Sequence, residues 1–262
     1  MKRAKKRAAQ PVGVAGSTKA GRAQGLLAVF AHPDDETFTA GGTLALHAMS
    51  GCRVTLICAT HGEKGSAGRE GFGAAAYEQL RVAELHEAAE ALGIAEVILW
   101  DWGDGQVAER DEDSSVREIL AVMRRVRPTV VITFGPDGIS GHPDHIAISK
   151  LATAAFDRYR QEVKPGAPQP RLLYIVPSAA IPSCCWQRAG TPAPLPATTT
   201  FDIRAVRPRK LAAMRAYRSQ SHLVKALRQD HTAWHAPKEY FHQAFPALSE
   251  QHQESTEAVI CA

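Results

Sequence analysis

From residue 26 onward, short apolar runs alternate with amphipathic stretches. Leu26–Ala31, Val54–Ala59, Glu96–Trp100, Thr129–Phe134 and Leu172–Val176 are compact apolar runs without a polar alternation. Such runs read as strands covered on both faces. Between them lie stretches with helical character, from Gly41 to about Met49, from Ala76 to Leu92, from about Ser114 to Val126, and from His145 to about Tyr159. In the second, Leu80, Leu85 and Leu92 mark an inner face and Gly93 suits a C-cap; the third ends before Pro128. A short strand near Phe201–Ile203 and a helix from about Arg209 to Ser219 follow. Strand–helix alternation predicts one α/β domain, Rossmann-like, with a mostly parallel sheet and helices on both faces. Residues 60–75 are Gly-rich and polar and read as a long loop, the kind that often carries function.

Charge divides the chain. Residues 1–24 hold seven Lys and Arg and no acid, so the net +4 of the 262 residues becomes −3 for the remainder. The expected organisation is a basic, disordered leader over 1–24, a folded domain over 25–250 and a loosely held tail over 251–262. The leader lacks the apolar core of a secretory signal and interleaves no aromatics with its charges. A non-catalytic nucleic-acid-binding role for it is therefore the weaker reading. Hydrophobic residues are 45% and charged residues 22%, as in ordinary soluble domains. No run approaches the roughly 18 apolar residues of a membrane span. Five cysteines without a CxxC spacing argue against a disulfide framework and fit a cytoplasmic location. Oligomeric state is not written in these features, and a homo-oligomer is compatible with them.

The reactive side chains gather where strands end. The first strand runs into Ala31-His32-Pro33-Asp34-Asp35-Glu36, and the fourth into a turn that ends in His142-Pro143-Asp144-His145. In open α/β sheets, ligands bind at the carboxyl ends of strands. Catalytic zinc takes three protein ligands and a water from His and carboxylate donors. His32 and Asp35 can supply two ligands from one turn, and a histidine of the second cluster the third. The adjacent acids Asp34 and Asp35 then divide the work, one on the metal and one as general base. The other histidine can stabilise an oxyanion or protonate a leaving amine. Taken singly, each cluster is equally well a helix cap or a His-Pro turn. Two at successive strand ends point to a site. The first strand lacks a following GxGxxG, which disfavours a dinucleotide-binding oxidoreductase.

The motifs AHPDDE (Ala31–Glu36) and HPDH (His142–His145) resemble those of the PIG-L/LmbE-like zinc deacetylases, over about Leu26 to Gln220. That family includes N-acetylglucosaminyl-phosphatidylinositol de-N-acetylases and deacetylases of bacterial thiol biosynthesis. Thr60–Glu63, Arg81 with Glu84, Leu92-Gly93, Asp104-Gly105 and Arg218–Gln220 look family-like as well. Arg81 and Glu84, three apart on a helix, read equally as an ordinary surface pair. The resemblance implies Zn2+ held by His32, Asp35 and His145, Asp34 as general base, and His142 supporting the tetrahedral intermediate with Asp144 orienting it. It also implies Arg69 as a substrate contact and an N-acyl, most simply N-acetyl, amino-sugar-like small molecule as substrate. A metal-dependent amidase acting on a thiol conjugate or another N-acyl metabolite is the alternative on the same scaffold. Ser140 departs from the pattern, since several family members carry a tyrosine there. Trp100 and Trp102 lie just past the third strand and are equally pocket or core residues. His47 and His86 read as structural or surface residues.

Overall fold

In the computed structural model the described residues are 25–65, 71–177, 193, 195–229 and 236–247, with the backbone of 255–257. The elements are β1 (Gly25–Phe30), α1 (Asp35–Met49), β2 (Arg53–Cys58), α2 (Ala74–Leu92), β3 (Glu96–Leu99), α3 (Glu112–Val126), β4 (Pro128–Phe134), the single turn α4 (Gly138–Gly141) and α5 (Pro143–Gln161). They continue with β5 (Arg171–Val176), β6 (Thr199–Asp202), α6 (Arg207–Ala216), α7 (Ser221–Gln229), β7 (Lys238–Phe245) and β8 (Ser255–Glu257).

The strands form one sheet in the order β3-β2-β1-β4-β5-β7-β6-β8. β1 through β5 are mutually parallel, while β7 runs antiparallel to both β5 and β6. The helices form two layers. α1, α2 and α6 pack together, and α3 packs with α5. This is the predicted α/β architecture. β1 sits centrally with every residue buried, which explains why Leu26–Phe30 shows no polar alternation. β2 and β4 flank β1, so the order of the chain reverses between β1 and β4. A crevice at the carboxyl ends of strands is expected at such a switch point.

Several boundaries differ from the sequence expectation. α1 begins at Asp35 and not near Gly41, so the AHPDDE motif runs straight from strand into helix. The helix expected over 209–219 ends at Ala216, and a 3-10 turn covers Arg218–Gln220. α7 and β7 are absent from the sequence expectation, α7 although its nine residues are amphipathic. In β7 the inward positions are Glu239, Phe241 and Gln243, so two polar residues mask the alternation. The tail expected to be loosely held contributes β8, parallel to β6; the rest of 251–262 lies outside the described residues, as does the basic leader.

Candidate metal centre and active site

The turn after β1 and the turn after β4 face each other across the switch point. His32 Nδ1 lies 3.2 Å from His145 Nε2 and 3.5 Å from Asp35 Oδ2, and His145 Nε2 lies 3.2 Å from Asp35 Oδ1. Donors bound to a tetrahedral zinc at its usual bond lengths are about 3.3–3.6 Å apart. The observed spacing therefore fits that ion.

Hydrogen bonds preset both imidazoles for this. The His145 Nδ1 proton goes to the Gly138 carbonyl at 3.1 Å, which leaves Nε2 with a lone pair. His32 Nε2 donates to Asp144 Oδ2 at 3.1 Å and lies 3.2 Å from Asp104 Oδ1, which leaves Nδ1 as the free donor. Ligating histidines usually donate their other nitrogen in this way. The His145 ring also stacks on Phe134, with centroids 4.1 Å apart and planes 11° off parallel. Two other groupings, His32/His142/His145 and His32/Asp104/Asp144, bring their donor atoms within 4.8 Å. In the second, Asp144 already accepts from the Gly105 and Val107 amides as well as from His32, so it is better placed as a partner of His32 than as a ligand.

Asp35 stands at the first position of α1, and its Oδ2 accepts from the His32 amide at 2.8 Å. Burial alone would raise its pKa, but the facing His145 and His32 hold it well below the ordinary carboxylate range. Asp34 behaves oppositely. Burial pushes its pKa up, the Arg81 charge pulls it back in part, and the Asp35 charge adds to the rise. Two neighbouring acids are thus driven apart, which suits one as ligand and the other as base. For His32, burial lowers the pKa, yet its contacts with Asp104, Asp144 and Asp35 outweigh that and raise it well above 6.5. A proton or a metal ion satisfies this acidic nest.

Asp34 holds a φ of 101°, in the left-handed half of the map where only glycine is comfortable. Its amide donates to Glu36 Oε2 at 3.2 Å, and its Oδ2 accepts from Arg81 at 3.0 Å. Glu36 is fully buried, accepts from Thr37 and Tyr217 and has its pKa pushed up to about 7 by burial. Arg81 and Glu84 are buried, not a surface pair. No spacing rule separates these readings; the signal was that they continue the stripe of buried Tyr77 and Leu85.

His142 caps α5, and its Nδ1 accepts the Asp144 amide at 3.2 Å. A neutral His142 therefore carries its proton on Nε2. Burial and the nearby His32 and His145 lower its pKa, which favours that neutral form. Asp144 thus orients His142 through its main-chain amide, while its carboxylate serves His32. Asp104 carried no role in the sequence; it joins the site from the loop after β3.

His32, Asp34, Asp35, Arg81, Asp104, His142 and His145 line a cavity of about 410 Å³ that also includes Lys64, Gly105 and Gln220. Arg69 lies outside the described residues. Trp100 and Trp102 stack on each other at 4.6 Å and belong to the core, not to this cavity. His47 is buried against Phe201, and His86 and His222 are exposed, away from the cavity lining.

Comparison with known proteins places this geometry in a family. The GlcNAc-PI de-N-acetylase (PIG-L) profile matches residues 27–156. The 1D-myo-inositol 2-acetamido-2-deoxy-alpha-D-glucopyranoside deacetylase of Saccharomonospora viridis is 37% identical over 233 residues, covering 74% of this chain and 84% of that protein. Among solved structures, the 4-carboxy-2-hydroxymuconate hydratase GalB of Pseudomonas putida KT2440 is 26% identical, with a TM-score of 0.66 over 87% of this chain and 98% of that one. The N,N'-diacetylchitobiose deacetylase of Pyrococcus horikoshii shares the fold at 19% identity, with a TM-score of 0.65 over 85% and 84% of the two chains. The chain belongs to the PIG-L family of GlcNAc-PI de-N-acetylase-like proteins.

Proposed function

We propose that this chain is a zinc-dependent N-deacetylase that hydrolyses the N-acetyl amide of an amino-sugar-like small molecule. The observation that carries the reading is the convergence of His32 Nδ1, Asp35 and His145 Nε2 beside Asp34, with both imidazole tautomers fixed by hydrogen bonds. The relatives named as deacetylases of a GlcNAc-bearing inositol support the substrate class.

His32, Asp35 and His145 would hold the ion. Zinc bound there supplies Lewis acidity, bringing the pKa of water toward about 7 and polarising a carbonyl. Asp34 takes the proton of the attacking water through Oδ1, because Oδ2 is committed to Arg81. His142 Nε2–H donates to the amide oxygen as it gains charge. Asp34 then returns its proton to the departing nitrogen. The products are acetic acid and a free amine, which exchange one proton and leave as acetate and an ammonium, so atoms and protons balance. Arg69, which lies between β2 and α2 in the chain, is the proposed substrate contact.

No helix among the described residues is long and apolar enough to cross a membrane. The proposed location is the cytoplasm and the proposed partner a small molecule. The test is acetate release from an N-acetylglucosaminyl inositol by protein stripped with a chelator and reloaded with zinc. Release that returns with zinc supports the reading. Release that survives complete metal removal rejects it. Because GalB is a hydratase, water addition to an unsaturated carboxylate should be assayed beside it.

A further inference from the structure

Arg81 is buried at 3% exposure and reaches the catalytic turn from α2, on an element that supplies no ligand. Its Nη2 donates both to the Pro33 carbonyl and to Asp34 Oδ2. One guanidinium nitrogen therefore holds both the carbonyl that precedes Asp34 and the Asp34 carboxylate, fixing the side chain relative to the strained backbone. Conformations of this kind are unfavourable and persist only where surrounding groups impose them.

Arg81 is itself held. Its Nη1 donates to Ser219 Oγ at 3.3 Å, and that hydroxyl donates to Glu84 Oε2 at 2.5 Å while the Ser219 amide donates to Glu84 Oε1 at 2.9 Å. Gly62 closes over the guanidinium, and a Cβ there would stand 2.9 Å from Arg81 Nε. The 3-10 turn Arg218–Gln220 thus braces a residue of α2, which in turn braces the turn after β1. Asp34 Oδ2 is occupied, and Oδ1 has no partner among the described residues, although the side chain keeps 18% exposure and lines the cavity.

We propose that Arg81 is a positioning residue for the general base: it imposes the left-handed backbone of Asp34 and aims Oδ1 at the cavity, with Ser219 and Glu84 holding it in register. This rests on the assignment of Asp34 as base. Arg81 touches none of His32, Asp35 and His145, so its loss should separate turnover from metal binding.

The test compares Arg81→Ala, Arg81→Lys and Arg81→Ala/Asp34→Ala in zinc-loaded protein, with and without added guanidinium. General-base catalysis is worth about 10²–10⁴-fold. Arg81→Ala should lose about a hundredfold in kcat with KM and zinc affinity near wild type. Guanidinium should recover at least about a tenth of that loss in Arg81→Ala and nothing in the double variant. Arg81→Lys, which keeps one donor, should fall between. Wild-type kcat in Arg81→Ala, or rescue that does not need Asp34, overturns the proposal. Loss of zinc affinity in parallel with kcat overturns it too, since that marks general disruption. A crystal structure of Arg81→Ala gives a readout independent of turnover. Asp34 should relax to negative φ, and a φ that stays near its wild-type value rejects the clamp even if the wild type proves not to be a hydrolase.

Discussion

His32 donates its Nε2 proton to Asp144 across 3.1 Å, and that bond decides which ring nitrogen faces Asp35 and His145. Asp144 is fully buried and also accepts the amides of Gly105 and Val107, so it cannot turn away. Asp144→Asn should weaken metal binding about 10- to 100-fold, the usual effect of removing the partner of a ligating histidine. Chelator competition measures it. Unchanged affinity would assign the orienting role to Asp104, the other carboxylate beside Nε2.

Gly62 should be intolerant of substitution. Its φ is +69°, and a Cβ would stand 2.9 Å from Arg81 Nε and 3.1 Å from Pro33 Cδ. Gly62→Ala should destabilise the fold by more than about 1 kcal/mol in denaturant melts. It should also lower kcat, because the displaced groups hold Asp34. A stable and fully active variant would mean that this contact is slack.

Much of the frame was legible in sequence, for a reason visible in particular residues. β1, β2 and β4 are buried on both faces, so Leu26–Phe30, Val54–Cys58 and Val130–Phe134 stand out as apolar runs interrupted only by Thr55 and Thr133. The histidines and acids that meet in the site sit directly after two of those strands. The rest was hidden wherever a buried position is polar. Glu239 and Gln243 are buried and break the alternation that would reveal β7, while Arg81 and Glu84 lie buried on a helix that is legible but read as surface positions. Their burial is satisfied by partners distant in the chain, such as Ser219 for Glu84, which no local pattern exposes.

Glu239 ties β7 to α1. It accepts from the Gly42 amide at 2.9 Å, the Thr43 amide at 2.7 Å and Lys210 Nζ at 2.5 Å. Glu239→Ala would leave the half-buried Lys210 ammonium with only the Phe38 carbonyl at 3.5 Å and strip the carboxylate from the Gly42 and Thr43 amides. Breaking such a pair costs about 3–5 kcal/mol. Urea unfolding is the check, and a loss below about 1 kcal/mol would show that water replaces the carboxylate.

Metal-free protein should lose stability as pH rises. Glu36 holds its proton up to about 7 against an ordinary 4.5, so folding favours the protonated form and that contribution fades between those values. The raised pKa of His32 acts in the same direction. Its contribution is complete below 6.5 and is lost as pH climbs through the folded value. Asp35 has the opposite sign, contributing above 3.8 and losing its effect as pH falls through its depressed value. Thermal melts of metal-free protein should therefore peak on the mildly acid side. Zinc affinity should rise with pH over the same range, because the metal displaces the His32 proton. Metal-free melts that improve steadily from pH 5 to 8 would contradict this charge arrangement.

The division of labour between Asp34 and Asp35 is tested most directly by Asp34→Ala, assayed together for bound zinc and for release of acetate from an N-acetylglucosaminyl inositol. The account predicts wild-type zinc content with turnover reduced by at least about a hundredfold. Near-wild-type turnover with zinc in place, or loss of the zinc itself, would contradict it.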